Sequence, residues 1–371
     1  MVVPTATVTD YLLFADKPGV TKLQSTLRRS WYLSHCRMTV WRTQKTLRYR
    51  ERAVACFKAL ATGDAIGKQT EMLSHPDVRH WYPGGISGFH GPPGDVIPRY
   101  AGNRKREWRI GETTDDTEQT IAVARALLSQ HGVSHTVVGK ELLKCRKSVH
   151  PGVRSMWTFH RLGDPSRTAS DGDGCGAAMR VAPVGVLYSP KRFDELVRGA
   201  YESSIPTHGG QLAICAAAAV AAAISAALEG MAAVEVLKLA IEAARKAEAF
   251  APAAKGKPTP SIAVSIQEIH ADLSRHHTLP ASELAEKYFP NRPETKVPLA
   301  INLALITGSA ERTTLLAANL GGDSDSVASI GAAIAGSLHP DTVNETWFRV
   351  VQSVNGDDLV EIAHAVAKLR C

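Results

Sequence analysis

GGQLAICAAAAVAAAISAAL, residues 209–228, contains no charged side chain, and how this stretch is read decides the class of the molecule. It is long enough to cross a bilayer as a helix. Alanine dominates it, however, and alanine drives insertion far less than Leu, Ile or Phe. Alanine is instead the best helix former, and its single methyl group lets neighbouring backbones come close. The stretch therefore reads as a central helix buried in protein. Apolar residues at helical spacing recur over roughly 190–201, 209–229, 231–249, 260–274, 281–287, 296–307, 311–318, 325–337 and 356–369. On the N-terminal side, Val54, Phe57 and Leu60 share one stripe of a helix that glycine is expected to punctuate at Gly63-Asp64. Another helix follows Thr114, and a third covers Val137 to Lys144. Strand signals are sparse, no βαβ alternation occurs, and no fixed repeat period is present. The expected class is all-α, a compact orthogonal multi-helix bundle.

Composition agrees with a globular helical protein. Of 371 residues, 44% are hydrophobic, 21% charged and only 6% aromatic, which suffices for a large core. The net charge is +7, but the excess is local. Between Lys22 and Arg52 the chain carries Arg28, Arg29, Arg37, Arg42, Lys45, Arg48 and Arg50 against Glu51 alone. No zinc-finger spacing, RNA-binding aromatic signature or zipper accompanies these charges, so nucleic acid is not an expected partner. Cys36, Cys56, Cys145, Cys175, Cys215 and Cys371 are scattered, with no CxxC pair, as in reduced thiols of a cytoplasmic protein. No secretory signal opens the chain. Residues 1–47 are basic, hydroxyl-rich and without periodicity, and are expected to form a poorly ordered extension to one helical domain over 48–371. Two irregular stretches interrupt that domain, Pro83–Pro98 with five glycines and four prolines, and Ser148–Gly176. Long loops inside a compact helical body commonly carry function.

Two acidic clusters carry the chemistry. Thr114-Asp115-Asp116-Thr117 and Gly321-Gly322-Asp323-Ser324-Asp325-Ser326 each sit where a helix begins. An N-cap with acids favoured by the helix dipole would account for either one alone. Two pairs of adjacent carboxylates with hydroxyl oxygens exceed what capping requires. Such carboxylates repel unless a cation lies between them, and this donor set suits Mg²⁺ or Mn²⁺ better than zinc or copper.

With Gly63-Asp64-Ala65-Ile66-Gly67 and Glu71, Gly174-Cys175-Gly176-Ala177-Ala178-Met179-Arg180, and Thr207-His208, these clusters form an ordered set that resembles the ADP-ribosylglycohydrolase family. The resemblance runs from about Glu51 to Pro340. It implies an all-α fold with a binuclear metal cleft holding two divalent cations, Mg²⁺ or Mn²⁺. Thr114, Asp115 and Asp116 would ligate from one side, and Asp323, Asp325 and Ser326 from the other. Catalysis would fall to the metal-held Asp115 and Asp323, with Glu71 as general base or gate. Gly174, Cys175, Gly176, Met179, Arg180 and His208 would line the substrate cleft, the glycine turn facing a diphosphate, and Phe89 could stack on a ribose or adenine. The implied activity is hydrolysis at the anomeric carbon of an ADP-ribosyl group on a protein or a small derivative. A hydrolase of a nucleoside, nucleotide or other small ribosyl metabolite, and a non-catalytic crystallin-like scaffold, remain open. Cys175 stands where many members carry Asn, which bears on substrate identity; serines in the second cluster keep the oxygen ligands.

Overall fold

Glycine does not end the first helix; it lets that helix cross another. A computed structural model describes residues 48–100, 107–251, 259–275, 280–356 and 358–370, and the basic extension 1–47 lies outside them. Helix α1, residues 48–67, continues through Gly63 to Gly67. A Cβ on Gly63 would lie 2.5 Å from the Ala328 carbonyl oxygen, and one on Gly67 2.5 Å from that of Ser324. A Cβ on Gly336 would come 2.9 Å from the Ala55 oxygen. These three approaches run in opposite chain directions, so α1 lies antiparallel against the helix Ser324–Leu338. The expected break at Gly63-Asp64 is corrected on this ground: the cost of glycine in a helix, about 1 kcal/mol, is offset by backbone contact.

Among the described residues all regular structure is helical, apart from one isolated bridge between Val96 and Arg109. After α1 come α2 (His75–Trp81), α3 (Asp115–Gln130), α4 (His135–Leu142), α5 (Arg154–Leu162), α6 (Gly176–Met179), α7 (Ala182–Leu187) and α8 (Phe193–Ser204). The C-terminal half holds α9 (Gln211–Leu228), α10 (Ala233–Ala247), α11 (Ile262–Leu273), α12 (Ala281–Tyr288), α13 (Pro293–Thr307), α14 (Ala310–Leu320), α15 (Ser324–Leu338), α16 (Glu345–Asn355) and α17 (Leu359–Lys368). The supposedly irregular stretch 148–176 thus contains α5. With only Met156 and Phe159 buried, its apolar pattern is too short to announce a helix.

The alanine-rich α9 is the axis of the unit formed by residues 50–371. Of its residues 94% are buried, and it packs against α6, α7, α8, α10, α11, α13 and α15. Small side chains make that many neighbours possible: a Cβ on Gly185 of α7 would come 2.6 Å from the Ala221 oxygen. Helices α3 and α15 both begin on the same side of this core, which is where the acidic clusters meet.

Candidate active site

Asp64, wholly buried on the last turn of α1, anchors the start of α3. Its carboxylate accepts hydrogen bonds from the Thr114 N–H at 3.0 Å, the Thr117 N–H at 3.1 Å and the Thr117 hydroxyl at 2.5 Å. The Thr114 hydroxyl caps the helix by accepting from the Asp116 N–H at 3.2 Å. Asp115 accepts from the Ser148 hydroxyl at 2.7 Å and the Gln119 amide at 2.9 Å. Ser148 adopts a left-handed φ of 57° to reach it, a conformation uncommon outside glycine. Asp116 accepts from Ser329 at 2.6 Å, one turn along α15.

The second cluster begins α15. Its loop is tied to the segment after Glu71, because the Met72 N–H donates to the Gly322 oxygen at 2.7 Å and the Gly322 N–H to the Leu73 oxygen at 2.8 Å. Asp323 forms an ion pair with Lys296 of α13 and accepts from the Cys175 thiol at 3.0 Å. Asp325 is 3% exposed, and its Oδ1 is buried with no hydrogen-bond partner. Burial pushes Asp116 well above the usual carboxylate range, and the charges of Asp64 and Asp115 push further. Asp325 is raised likewise by burial and then by Asp116 and Asp323. Burial would also raise Asp323, but the Lys296 ammonium together with hydrogen bonds from Lys296, Cys175 and Asp325 outweighs it and holds that carboxyl low.

Asp115, Asp116, Asp323, Asp325 and Ser326 line one cavity of about 240 Å³ together with Glu71, Gly174, Cys175, Gly176, Met179 and His208. Glu71 forms an ion pair with the buried Lys68, which lies 4.3 Å from the centre of the Trp108 ring. The Gly174–Gly176 turn rests on His208, and a Cβ on Gly176 would come 2.5 Å from the imidazole Cε1. His208 is held neutral, lowered to about 3 by burial and by the charges of Arg180 and Lys296.

Three of the sequence-derived residues lie elsewhere. Thr114 caps α3 behind the cavity wall. Arg180 is fully buried, donating to Gln119 and Thr207 at 2.8 Å each and to the carbonyls of Ser203 and Ser204 at 2.9 and 3.2 Å. Phe89 packs on Ile66, Tyr82, Ile86 and Ala318. Conversely, Gln119, Ser148, Ser155 and Lys296 line the cavity without having been singled out. Gln119 lies one helical turn after Asp115, and that i,i+4 spacing is the signal that could have found it.

The donor set fits a hard divalent cation: paired carboxylates, a hydroxyl, and an orphaned oxygen on a carboxylate of the cavity wall. Among the described residues, no three His, Cys, Asp or Glu side chains converge as a ready-made cage; Ser148 and Gln119 donate to Asp115, Ser329 to Asp116, and Lys296 pairs with Asp323.

Residues 45–371 match the family model described as ADP-ribosylglycohydrolase. The chain is 29% identical to the uncharacterized protein YegU of Escherichia coli, over 86% of this chain and 97% of that protein. It is 28% identical to the ADP-ribosyl-[dinitrogen reductase] glycohydrolase of Rhodospirillum rubrum, over 36% of this chain and 43% of the other. A solved structure, an ADP-ribosylglycohydrolase-related protein complex, shares the fold with a TM-score of 0.62 at 23% identity, covering 87% of this chain and 99% of that one.

Proposed function

The chain belongs to the ADP-ribosylglycohydrolase family, and from that premise we propose that it hydrolyses the glycosidic bond at the anomeric carbon of an ADP-ribosyl group, carried by a protein or a small derivative. The observation that carries this reading is the meeting, in one cavity, of two carboxylate pairs more than 200 residues apart with Glu71 and a glycine turn. Asp115, Asp116, Asp323, Asp325 and Ser326 would hold Mg²⁺ or Mn²⁺, which supplies Lewis-acid stabilisation of charge developing at the ribose and orients water.

The chain's own groups divide the remaining work. Glu71, paired with Lys68, accepts a proton from the attacking water. His208, neutral at physiological pH, offers hydrogen bonding to the substrate without adding charge. The glycines let backbone approach a diphosphate closely. A cavity of about 240 Å³ suits a ribosyl unit. It shares Ser155, Gly174 and His208 with an adjoining space of about 390 Å³ lined by Arg154 and Arg167. That continuation, with its two guanidinium groups, favours a substrate bearing phosphates beyond the reacting ribose. The proposed compartment is the cytoplasm, supported by Cys56, Cys145, Cys175 and Cys215 all being free thiols.

The test is hydrolysis of N-linked and O-linked ADP-ribosyl conjugates with and without Mg²⁺ or Mn²⁺, alongside titration of ADP-ribose and ribose 5-phosphate. Metal-dependent release of ADP-ribose is expected. If ADP-ribose binds no better than ribose 5-phosphate, the diphosphate is not recognised and a smaller ribosyl compound is the substrate.

A further inference from the structure

The resemblance implies two divalent ions, yet one positive charge at this cleft is already covalently part of the chain. Lys296 sits in the first turn of α13, and its side chain is 12% exposed. Its ammonium forms the ion pair with Asp323 and lies 3.7 Å from the Cys175 sulfur. We propose that Lys296 replaces one of the two metal ions, so that this chain binds a single Mg²⁺ or Mn²⁺ on the Asp116–Asp325 side, an inference that rests on the metal-dependent reading of the same cleft.

Three observations separate the two sides. The Asp323 Oδ2 oxygen already receives both the ammonium and the Cys175 thiol, the latter at 3.0 Å. The Asp325 Oδ1 atom, buried in the same cavity wall, receives nothing. Asp116 Oδ1 has only a long contact, 3.4 Å, from the Ser326 hydroxyl. Open carboxylate valences therefore gather between Asp116 and Asp325, whereas the Oδ2 oxygen of Asp323 is already engaged twice. A second ammonium, that of Lys68, is paired with Glu71 rather than with Asp323; its charge acts on Asp325 and Asp115, but it forms no ion pair with either among the described residues. An ion seated against Asp323 would have to displace Lys296 into a largely buried site where, among the described residues, no other carboxylate lies within ion-pair distance of it, and a divalent ion beside an ammonium in a low-dielectric cleft is repelled. Cys175 reinforces the arrangement. A thiol donates to Asp323 and accepts from Lys296, whereas the commoner Asn would present a carbonyl oxygen able to face a metal.

The experiment uses the full chain, stripped with a chelator and titrated with Mn²⁺, with stoichiometry read by calorimetry and ion coupling by electron paramagnetic resonance. One Mn²⁺ per chain with an uncoupled signal is expected. Lys296→Met, which keeps the stem and removes the charge, should bind two ions and give a spin-coupled signal, whereas Lys296→Arg should stay at one. Two ions in the wild-type chain would overturn the inference, as would a single ion in a Lys296→Met protein that melts like the wild type. Because the wild-type stoichiometry is decisive by itself, a variant that fails to fold leaves the test intact. No Mn²⁺ bound to the wild type would instead remove the metal-dependent reading, and this inference with it.

Discussion

Replacing Arg180 should loosen two walls of the cleft at once, although the side chain does not touch it. The guanidinium is fully buried and lowered to about 10 by burial, so it remains charged at neutral pH. From behind, it holds Gln119, whose amide fixes Asp115, and Thr207, whose hydroxyl lies 2.7 Å from His208 Nδ1. In Arg180→Met the volume is roughly kept and four hydrogen bonds are lost. The Ser204 carbonyl still accepts from the N–H groups of Thr207 and His208, and Thr207 keeps His208. Gln119 Oε1 and the Ser203 carbonyl lose the guanidinium donor, at about 1–3 kcal/mol for each acceptor left unsatisfied. Removing the unpartnered Arg180 Nε and a desolvated charge offsets part of this. The net expectation is a loss of about 2–4 kcal/mol, a melting temperature lower by roughly 3–6 °C, and weaker Mn²⁺ binding through a released Asp115. Thermal denaturation and calorimetry with Mn²⁺ measure both. A variant that melts with the wild type while losing ADP-ribose affinity would refute this account and return Arg180 to direct substrate contact.

Three further outcomes are expected. Saturating Mg²⁺ or Mn²⁺ at about 100 times Kd should stabilise the protein by about 2.7 kcal/mol, and Asp325→Asn should abolish that shift in the same melting assay; an unchanged shift would remove Asp325 from the ligand set. Glu71→Gln should retain metal binding while turnover falls about 10²–10⁴-fold, so near-normal single-turnover rates would exclude Glu71 as the base. His208 has its pKa lowered to about 3, so below about pH 6.5 the unfolded chain binds the proton that the folded chain excludes. The wild type should therefore lose up to about 1.4 kcal/mol per pH unit from this group as pH falls from about 6.5 toward 4. Denaturant midpoints of His208→Gln should be correspondingly flatter with pH, and parallel curves would show that His208 titrates normally.

The helices that sequence periodicity located best are those with long apolar faces, such as α9, α10 and α15. It missed α2 and α5, whose buried faces amount to Val78 in one and Met156 and Phe159 in the other; short helices held by neighbours leave little periodic trace. Glycine misled at position 63 because its local and tertiary uses look identical along the chain. Only contact with Ala328 distinguishes a helix stop from a helix crossing. The acidic clusters were legible because adjacent carboxylates at helix starts exceed the needs of capping. Lys296 was not, since a lysine in the first turns of a helix that begins Pro-Glu-Thr looks like any solvated charge.

That lysine changes what the acidic clusters mean. Each carboxylate pair sits in the first turn of a helix or at its cap, where the backbone dipole favours negative charge, and serine hydroxyls from α15 and residue 148 supply further donors. Burial nevertheless pushes Asp116 and Asp325 up while Asp323, beside an ammonium, goes down. At Asp323 the Lys296 charge together with hydrogen bonds from Lys296, Cys175 and Asp325 overcomes burial, whereas at Asp325 the charge of Lys68 is outweighed by burial and by Asp116 and Asp323. Asp323 has an ammonium in direct contact and is held low, whereas Asp116 and Asp325 make no ion pair among the described residues and stay raised although the charge of Lys68 acts on Asp325. Under the proposed metal dependence, an added cation would therefore be drawn to Asp116 and Asp325 rather than to the Lys296–Asp323 pair.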